Sequence, residues 1–267
     1  MKSRLLVSAI GVPLILLVIL WAPIWVLALF LAALSGVAAW ELMNCVSAKR
    51  HGVLCTAAIL GALFSAAYAY FKVYIGGELV VVYVIAVFAY AVFRGGEVKF
   101  QQIMAALFAM FVVPYAFTSF LRLDALGFHR STLLLPLLFS FASDTGAFFA
   151  GRALGKHKLA PRVSPNKTVE GAVGGLAGNA LAALIFALVM DLGFHHTISY
   201  PPIIVTGVVC SVVAQLGDLS FSLIKREFGI KDYGHIFLEH GGVLDRFDSV
   251  IFVAPVLAAL LQVLKLG

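Results

Sequence analysis

The chain has 267 residues, of which 62% are hydrophobic and 12% charged, with a formal net charge of +6; soluble domains carry about 25% charged residues, so a soluble fold is excluded. A mean hydropathy of +1.04, with the apolar residues gathered in long runs, also excludes a disordered, fibrous or disulfide-stapled secreted chain. The bilayer is the remaining solvent.

Apolar runs at 5–20, 22–41, 53–71, 78–93, 101–121, 131–150, 168–190, 201–224 and 248–266 predict about nine membrane helices, each near the ~20 residues that a span requires. The fold class expected is therefore all-α, a polytopic membrane protein with a cytoplasmic N-terminus. The first run follows Lys2 and Arg4 and holds Pro13, with no small-residue cleavage site before the next run. It reads as a retained helix, or as a helix and re-entrant pair with its neighbour, rather than a signal peptide.

With the N-terminus inside, fifteen of the 19 Lys and Arg residues fall on the cytoplasmic side and only Lys72, Arg122, Arg130 and Lys265 outside. That asymmetry follows the positive-inside rule. The positive charge is thus a topology signal and implies no nucleic-acid partner. The two longest hydrophilic connections, 151–167 and 225–247, then face the cytoplasm, which places any nucleotide chemistry there. The expected organisation is a set of N-terminal membrane helices over 1–125 and a catalytic membrane domain over 126–267 carrying both loops. Cys45, Cys55 and Cys210 lack CxxC spacing, and are expected as small buried hydrophobes.

Glu41, beside Trp40 at the close of the second run, is expected as an interfacial anchor. The informative polar residues lie between 140 and 248. An ionisable side chain within a span is costly and points to function. Asp144 lies well inside the sixth run. Asp218 in the eighth, with Ser222 at i+4 and Lys225 at i+7, makes one polar stripe on a helix. The ninth helix opens on Asp245-Arg246-Phe247-Asp248, two carboxylates at i and i+3. Acidic residues also favour a helix N-terminus for dipole reasons alone, but with Asp218 they form an oxygen-rich set suited to Mg²⁺. Carboxylates outnumber His here, so a zinc site is not expected. His195-His196 reads as a solvated loop.

Ser164-Pro165-Asn166-Lys167-Thr168 resembles a helix start with a Ser cap and Pro at the first position. Lys167 then falls in a first turn already positive from the dipole, a conflict that a bound phosphate resolves. Arg152, Lys156, Lys158 and Arg162 stand behind it. Binding of anionic headgroups is the competing account of these cations. Gly171 with Gly175, and Gly174 with Gly178, are GxxxG spacings that signal close helix packing. They make a homodimer compatible with the sequence, as is packing within one chain. Neither a Walker nor a Rossmann glycine pattern is present.

Carboxylates for a metal, many cations and no enzyme nucleophile set suit phosphoryl or nucleotidyl transfer. The run from Ser222 through Lys225-Arg226, Lys231-Asp232 and Gly234 to His240-Gly241-Gly242, Asp245-Arg246 and Asp248 resembles the signature of the phosphatidate cytidylyltransferase (CDP-diacylglycerol synthase) family. Ser164 to Gly171 and Asp144 ahead of Gly151-Arg152 resemble it too, and the likeness is strong over about 130–255. Leu238-Glu239 stand where the family usually has Pro-Gly.

The resemblance implies transfer of CMP from CTP to phosphatidate in phospholipid biosynthesis, at the cytoplasmic face of a bacterial inner membrane. It implies Asp218, Asp245 and Asp248 as Mg²⁺ ligands and Lys167, Lys225, Arg226 and Arg246 as phosphate binders. Arg152 and Lys231 are second choices for phosphate, with Asp144, Ser222 and His240 as further substrate contacts. Three other readings stay open: a CTP-dependent lipid kinase, a paralogue with an altered lipid substrate, and a membrane transporter. A lipid CDP-alcohol transferase is disfavoured, since its motif is missing.

Overall fold

The computed structural model describes residues 11, 13–46, 52–71, 77–196, 198–236 and 241–264. They form an almost wholly helical membrane protein. Seven of the described helical segments are long and apolar enough to cross a bilayer, and Val80–Phe93 is a shorter apolar helix. The spans at 24–45, 52–71, 100–125, 130–154, 169–193, 200–227 and 243–264 coincide with seven of the nine hydrophobic runs. The fourth run is the short helix, and the first run is described at residue 11 and over 13–20, which are helical.

Contacts divide the chain into two units, Met1–Arg122 with Glu227–Arg246, and Leu123–Arg226 with Phe247–Gly267. In the first unit, helix α1 (Ile24–Cys45) packs on α2 (Gly52–Phe71) and on α4 (Phe100–Phe117), which also packs on α2 and on α3 (Gly77–Phe93). Small residues make this possible: a β-carbon at Gly36 would lie 3.0 Å from the Leu63 side chain, and one at Gly61 the same distance from Met110. Pro114 lies near the end of α4. The hydroxyls of Thr118 and Ser119 donate to the Pro114 and Tyr115 carbonyls where the chain turns into the short α5 (Ser119–Ala125). Arg122 donates to the Tyr115 carbonyl and lies 3.8 Å over its ring. Polar groups in a span need such partners because lipid offers none.

The second unit contains α6 (Leu135–Leu154), the antiparallel hairpin of β1 (Lys158–Ala160) and β2 (Ser164–Thr168), α7 (Val169–Leu188), α8 (Tyr200–Glu227) and, from residue 247, the rest of α9 (Val243–Leu264). Helix α6 packs along α7. A β-carbon at Gly146 would stand 2.5 Å from the Gly174 carbonyl oxygen, and one at Gly178 would stand 2.9 Å from that of Ala142. One at Gly174 would overlap the Ala150 methyl group. The glycine spacing therefore packs one helix of this chain on another and gives no argument for self-association. Between α7 and α8 the contact is polar: Asn179 donates to the Gly207 carbonyl at 3.1 Å, and Gln215 to that of Ala172 at 3.1 Å.

Three local expectations are corrected. Ser164–Thr168 is a strand, not a first helical turn, and the helix begins at Val169 with Thr168 as its cap. Ser164 and Pro165 mimic a helix start, yet pairing with 158–160 decides the backbone. Glu41 is not an interfacial anchor: it is fully buried, four residues inside the end of α1. Cys55 is half-buried, while Cys45 and Cys210 are buried as expected. His195 and His196 are both exposed.

Candidate functional site

In the second unit the site is built by the turn from α6 to α7. Thr168 takes extended backbone angles (φ −124°, ψ 156°), and its hydroxyl accepts from the Gly171 amide at 3.1 Å. That satisfies one of the orphan donors of a helix start. Glu170 holds the strand side: its carboxylate accepts from the backbone amides of Lys156 (3.1 Å) and His157 (3.2 Å) and stands 2.6 Å from His157 Nδ1. Gly151 is needed where α6 approaches this corner, since a β-carbon there would lie 3.0 Å from Thr168 Oγ1.

This corner fixes Lys167 on β2. Its ammonium stands 2.5 Å from Asp218 Oδ2 on α8, with the two side chains 25% and 27% exposed. Ser222, one turn along α8, donates to Asp218 Oδ1 at 3.2 Å, as the i, i+4 stripe predicts. Lys167 and Asp218 line a cavity of about 700 Å³ together with Asp144, Arg152, Phe148 and Gln215. Asp144 feels the charges of both Asp218 and Lys167. Asp248, on α9, lies in the field of Asp218, Asp144 and Lys225. Close approach of α8 to α9 depends on Gly217, where a β-carbon would meet the Asp248 carbonyl oxygen at 2.9 Å. Arg226 reaches the hairpin, donating through Nε to the Val163 carbonyl at 3.5 Å.

The second unit thus gathers Asp144, Arg152, Lys167, Asp218 and Ser222, with Asp248 and Lys225 in electrostatic reach. Lys231, Asp245 and Arg246 belong to the first unit. There Asp245 Oδ2 accepts from the amides of Tyr233 (2.7 Å) and Gly242 (2.9 Å). His240, with Leu238 and Glu239, lies outside the described residues.

Among the described residues no three His, Cys, Asp or Glu side chains close on a common metal position. The donors present still suit a hard cation: Asp144, Asp218 and Asp248 are oxygen donors from three helices whose like charges act on one another. Mg²⁺ commonly takes one or two carboxylates and completes its shell with water and substrate phosphate, so this set fits that ion.

Three contributors escaped the sequence reading. Thr168 carries the capping role assigned to Ser164, and Glu170 latches the hairpin. Its position two residues after Thr168 was the available signal, because acidic residues favour a first turn. Gln215 joins the cavity wall to α7.

Comparison with known proteins matches residues 2–264 to a family model described as the cytidylyltransferase family. A protein of Staphylococcus saprophyticus named phosphatidate cytidylyltransferase is 40% identical over 173 residues, 65% of this chain and 64% of that protein. Proteins of the same name from Staphylococcus haemolyticus and Staphylococcus aureus are 37% identical over 173 residues and 38% over 175, each again covering close to 65% of both chains. The matched stretch therefore spans just under two thirds of those relatives.

Proposed function

The chain belongs to the cytidylyltransferase family, and from that premise we propose that it transfers CMP from CTP to phosphatidate, giving CDP-diacylglycerol and pyrophosphate. The observation that carries this reading is the Lys167–Asp218 pair inside a cavity that Asp144 and Arg152 also line. Cation and carboxylates side by side are what a triphosphate and its counter-ion need. The relatives' name supports phosphatidate as the second substrate.

In the proposed reaction a phosphate oxygen of phosphatidate attacks the α-phosphorus of CTP. A P–O bond forms to that oxygen as the bond from the α-phosphorus to the bridging oxygen of the β-phosphate breaks. The electron pair leaves with pyrophosphate. The nucleophile belongs to the substrate, so positioning and charge neutralisation are the enzyme's contribution. Lys167 exchanges its contact with Asp218 for a phosphate oxygen, and Arg152 supplies a second cation on the cavity wall. Lys225, Arg226 and Arg246 are further phosphate binders, with Lys231 as a weaker one. Asp245, fixed through Oδ2, is an oxygen donor held in place before substrate arrives.

Asp218 and Asp248 would hold Mg²⁺, with Asp144 beside them. The ion supplies neutralisation of the triphosphate charge and of the departing pyrophosphate. The charge asymmetry of the loops supports a cytoplasmic N-terminus and a site open to cytoplasmic CTP, in a bacterial inner membrane.

The test is purified protein with phosphatidate, Mg²⁺ and CTP labelled at either the α or the γ phosphorus. Label entering lipid from the α position is the expected result. Label from γ would make the protein a lipid kinase, and label from neither would overturn the reading.

A further inference from the structure

Within the first unit, Glu41 is a fully buried carboxylate for which the proposed chemistry has no use. Burying a carboxylate is costly unless its oxygens are hydrogen-bonded. Both oxygens find amides far along the chain: Oε1 accepts from Val243 N at 2.9 Å and Oε2 from Leu244 N at 2.8 Å. These are the first two residues of α9, whose opening N–H groups have no partner within the helix.

The preceding residue is Gly242, at the capping position, where a Ser, Thr, Asp or Asn oxygen usually accepts such amides. Glycine has no oxygen to offer, and here it is required. A β-carbon on Gly242 would overlap the Glu41 carboxylate, and one on Gly234 would stand 2.6 Å from Oε1. The two glycines leave room for a cap delivered from α1. Asp245 completes the arrangement from within the helix, its Oδ2 accepting from Gly242 N and from Tyr233 N. Four amides, those of Tyr233 and of the consecutive Gly242, Val243 and Leu244, are thus held by two carboxylates. Gly242 stands between them, so the place of one carboxylate depends on the other.

We infer that Glu41 is a positioning residue for the reaction, acting through the α9 first turn to hold Asp245 and Arg246 in their working arrangement. This rests on the proposed cytidylyl transfer for its catalytic consequence, but the contact network itself does not. Partners that orient a metal-binding or phosphate-binding group typically matter by about 10- to 100-fold when removed. An isosteric Glu41→Gln change keeps the packing and replaces one acceptor oxygen by an NH₂ group that faces an amide donor.

The experiment compares wild type with Glu41→Gln and Gly242→Ala by steady-state kinetics with CTP and Mg²⁺, and by hydrogen exchange of the peptide covering 241–247. Expected for both variants are a fall in kcat of about 10- to 100-fold, a weaker Mg²⁺ activation, and faster exchange at Val243 and Leu244. Adding Glu41→Asp to Gly242→Ala, which withdraws the carboxylate from the new methyl group, should restore part of kcat. Folded Glu41→Gln protein with wild-type kcat and Mg²⁺ activation would overturn the inference, as would unchanged exchange at 243–244. If wild type itself moves no α-label from CTP, the reaction proposal fails, while exchange still decides whether Glu41 holds this turn. A Glu41→Gln chain that does not fold leaves the decision to Gly242→Ala, read by the same two measurements.

Discussion

Lys167 on β2 and Asp218 on α8 meet at 2.5 Å in the wall of the cavity, both about one quarter exposed. The pair joins the hairpin to a membrane helix, and the hairpin is itself held by Thr168 and Glu170. In the proposed reaction the two side chains separate their tasks once CTP enters. Lys167→Ala is expected to raise KM for CTP by about tenfold, roughly 1.4 kcal/mol, and Asp218→Asn to lower kcat by about 10²- to 10³-fold. The reversed pair, Lys167→Asp with Asp218→Lys, restores the ion pair but not turnover. Kinetics of the three proteins at fixed Mg²⁺ check this, and activity in the reversed pair would reduce the contact to a structural one.

Removing divalent cations should abolish transfer without unfolding the protein. Chelation with EDTA is expected to stop incorporation of α-label, and added Mg²⁺ to restore it, because the oxygen donors of Asp218 and Asp248 suit a hard cation. Activity persisting in excess chelator would remove Mg²⁺ from the proposed chemistry.

The Thr168 cap makes a stability prediction separable from catalysis by degree. Thr168→Ala removes the acceptor for Gly171 N and should cost about 0.5–2 kcal/mol, while Thr168→Ser retains the hydroxyl. Thermal inactivation in detergent should rank wild type and Thr168→Ser together, with Thr168→Ala below both. Equal midpoints for all three would show that the hairpin and not the cap sets the start of α7.

Gly174→Val tests the seam of α6 on α7. Its β-carbon overlaps the Ala150 methyl group, and a shift of α7 would disturb its hydrogen bonds with α8 through Asn179 and Gln215. Overpacking of this kind costs about 1–3 kcal/mol. The expected result is a lower yield of monodisperse protein in detergent, partly recovered by Ala150→Gly.

The sidedness proposed from the charge distribution is open to a direct test. In a background with Cys45, Cys55 and Cys210 replaced, Arg162→Cys, on the exposed turn of the hairpin, should react with an impermeant maleimide in inside-out vesicles and not in intact cells. His195→Cys, in the exposed loop after α7, should show the reverse. The opposite pattern would invert the membrane orientation.

Hydropathy was enough to read the spans because a bilayer demands continuous apolar helices, and long runs leave little choice of boundary. The Asp218–Ser222 stripe and the glycine seam were equally legible, since both follow from helical spacing within one element. The hairpin was not. Ser164-Pro165 carries a helix-start signature, and only pairing with 158–160 and the grip of Glu170 make it a strand. Glu41 shows the same limit at longer range: nothing near it in sequence names its partners, which lie 202 and 203 residues away.

That separation has a consequence in time. A ribosome adds about 5–20 residues per second, so Glu41 emerges roughly 10 to 40 seconds before the amides that will receive its carboxylate. During that interval α1 enters the bilayer with an acidic group awaiting its partners, and the first unit stays unfinished until nearly the last helix is made. A chain stalled or truncated before residue 243 therefore leaves Glu41 without the two amides that hold its carboxylate in the finished protein.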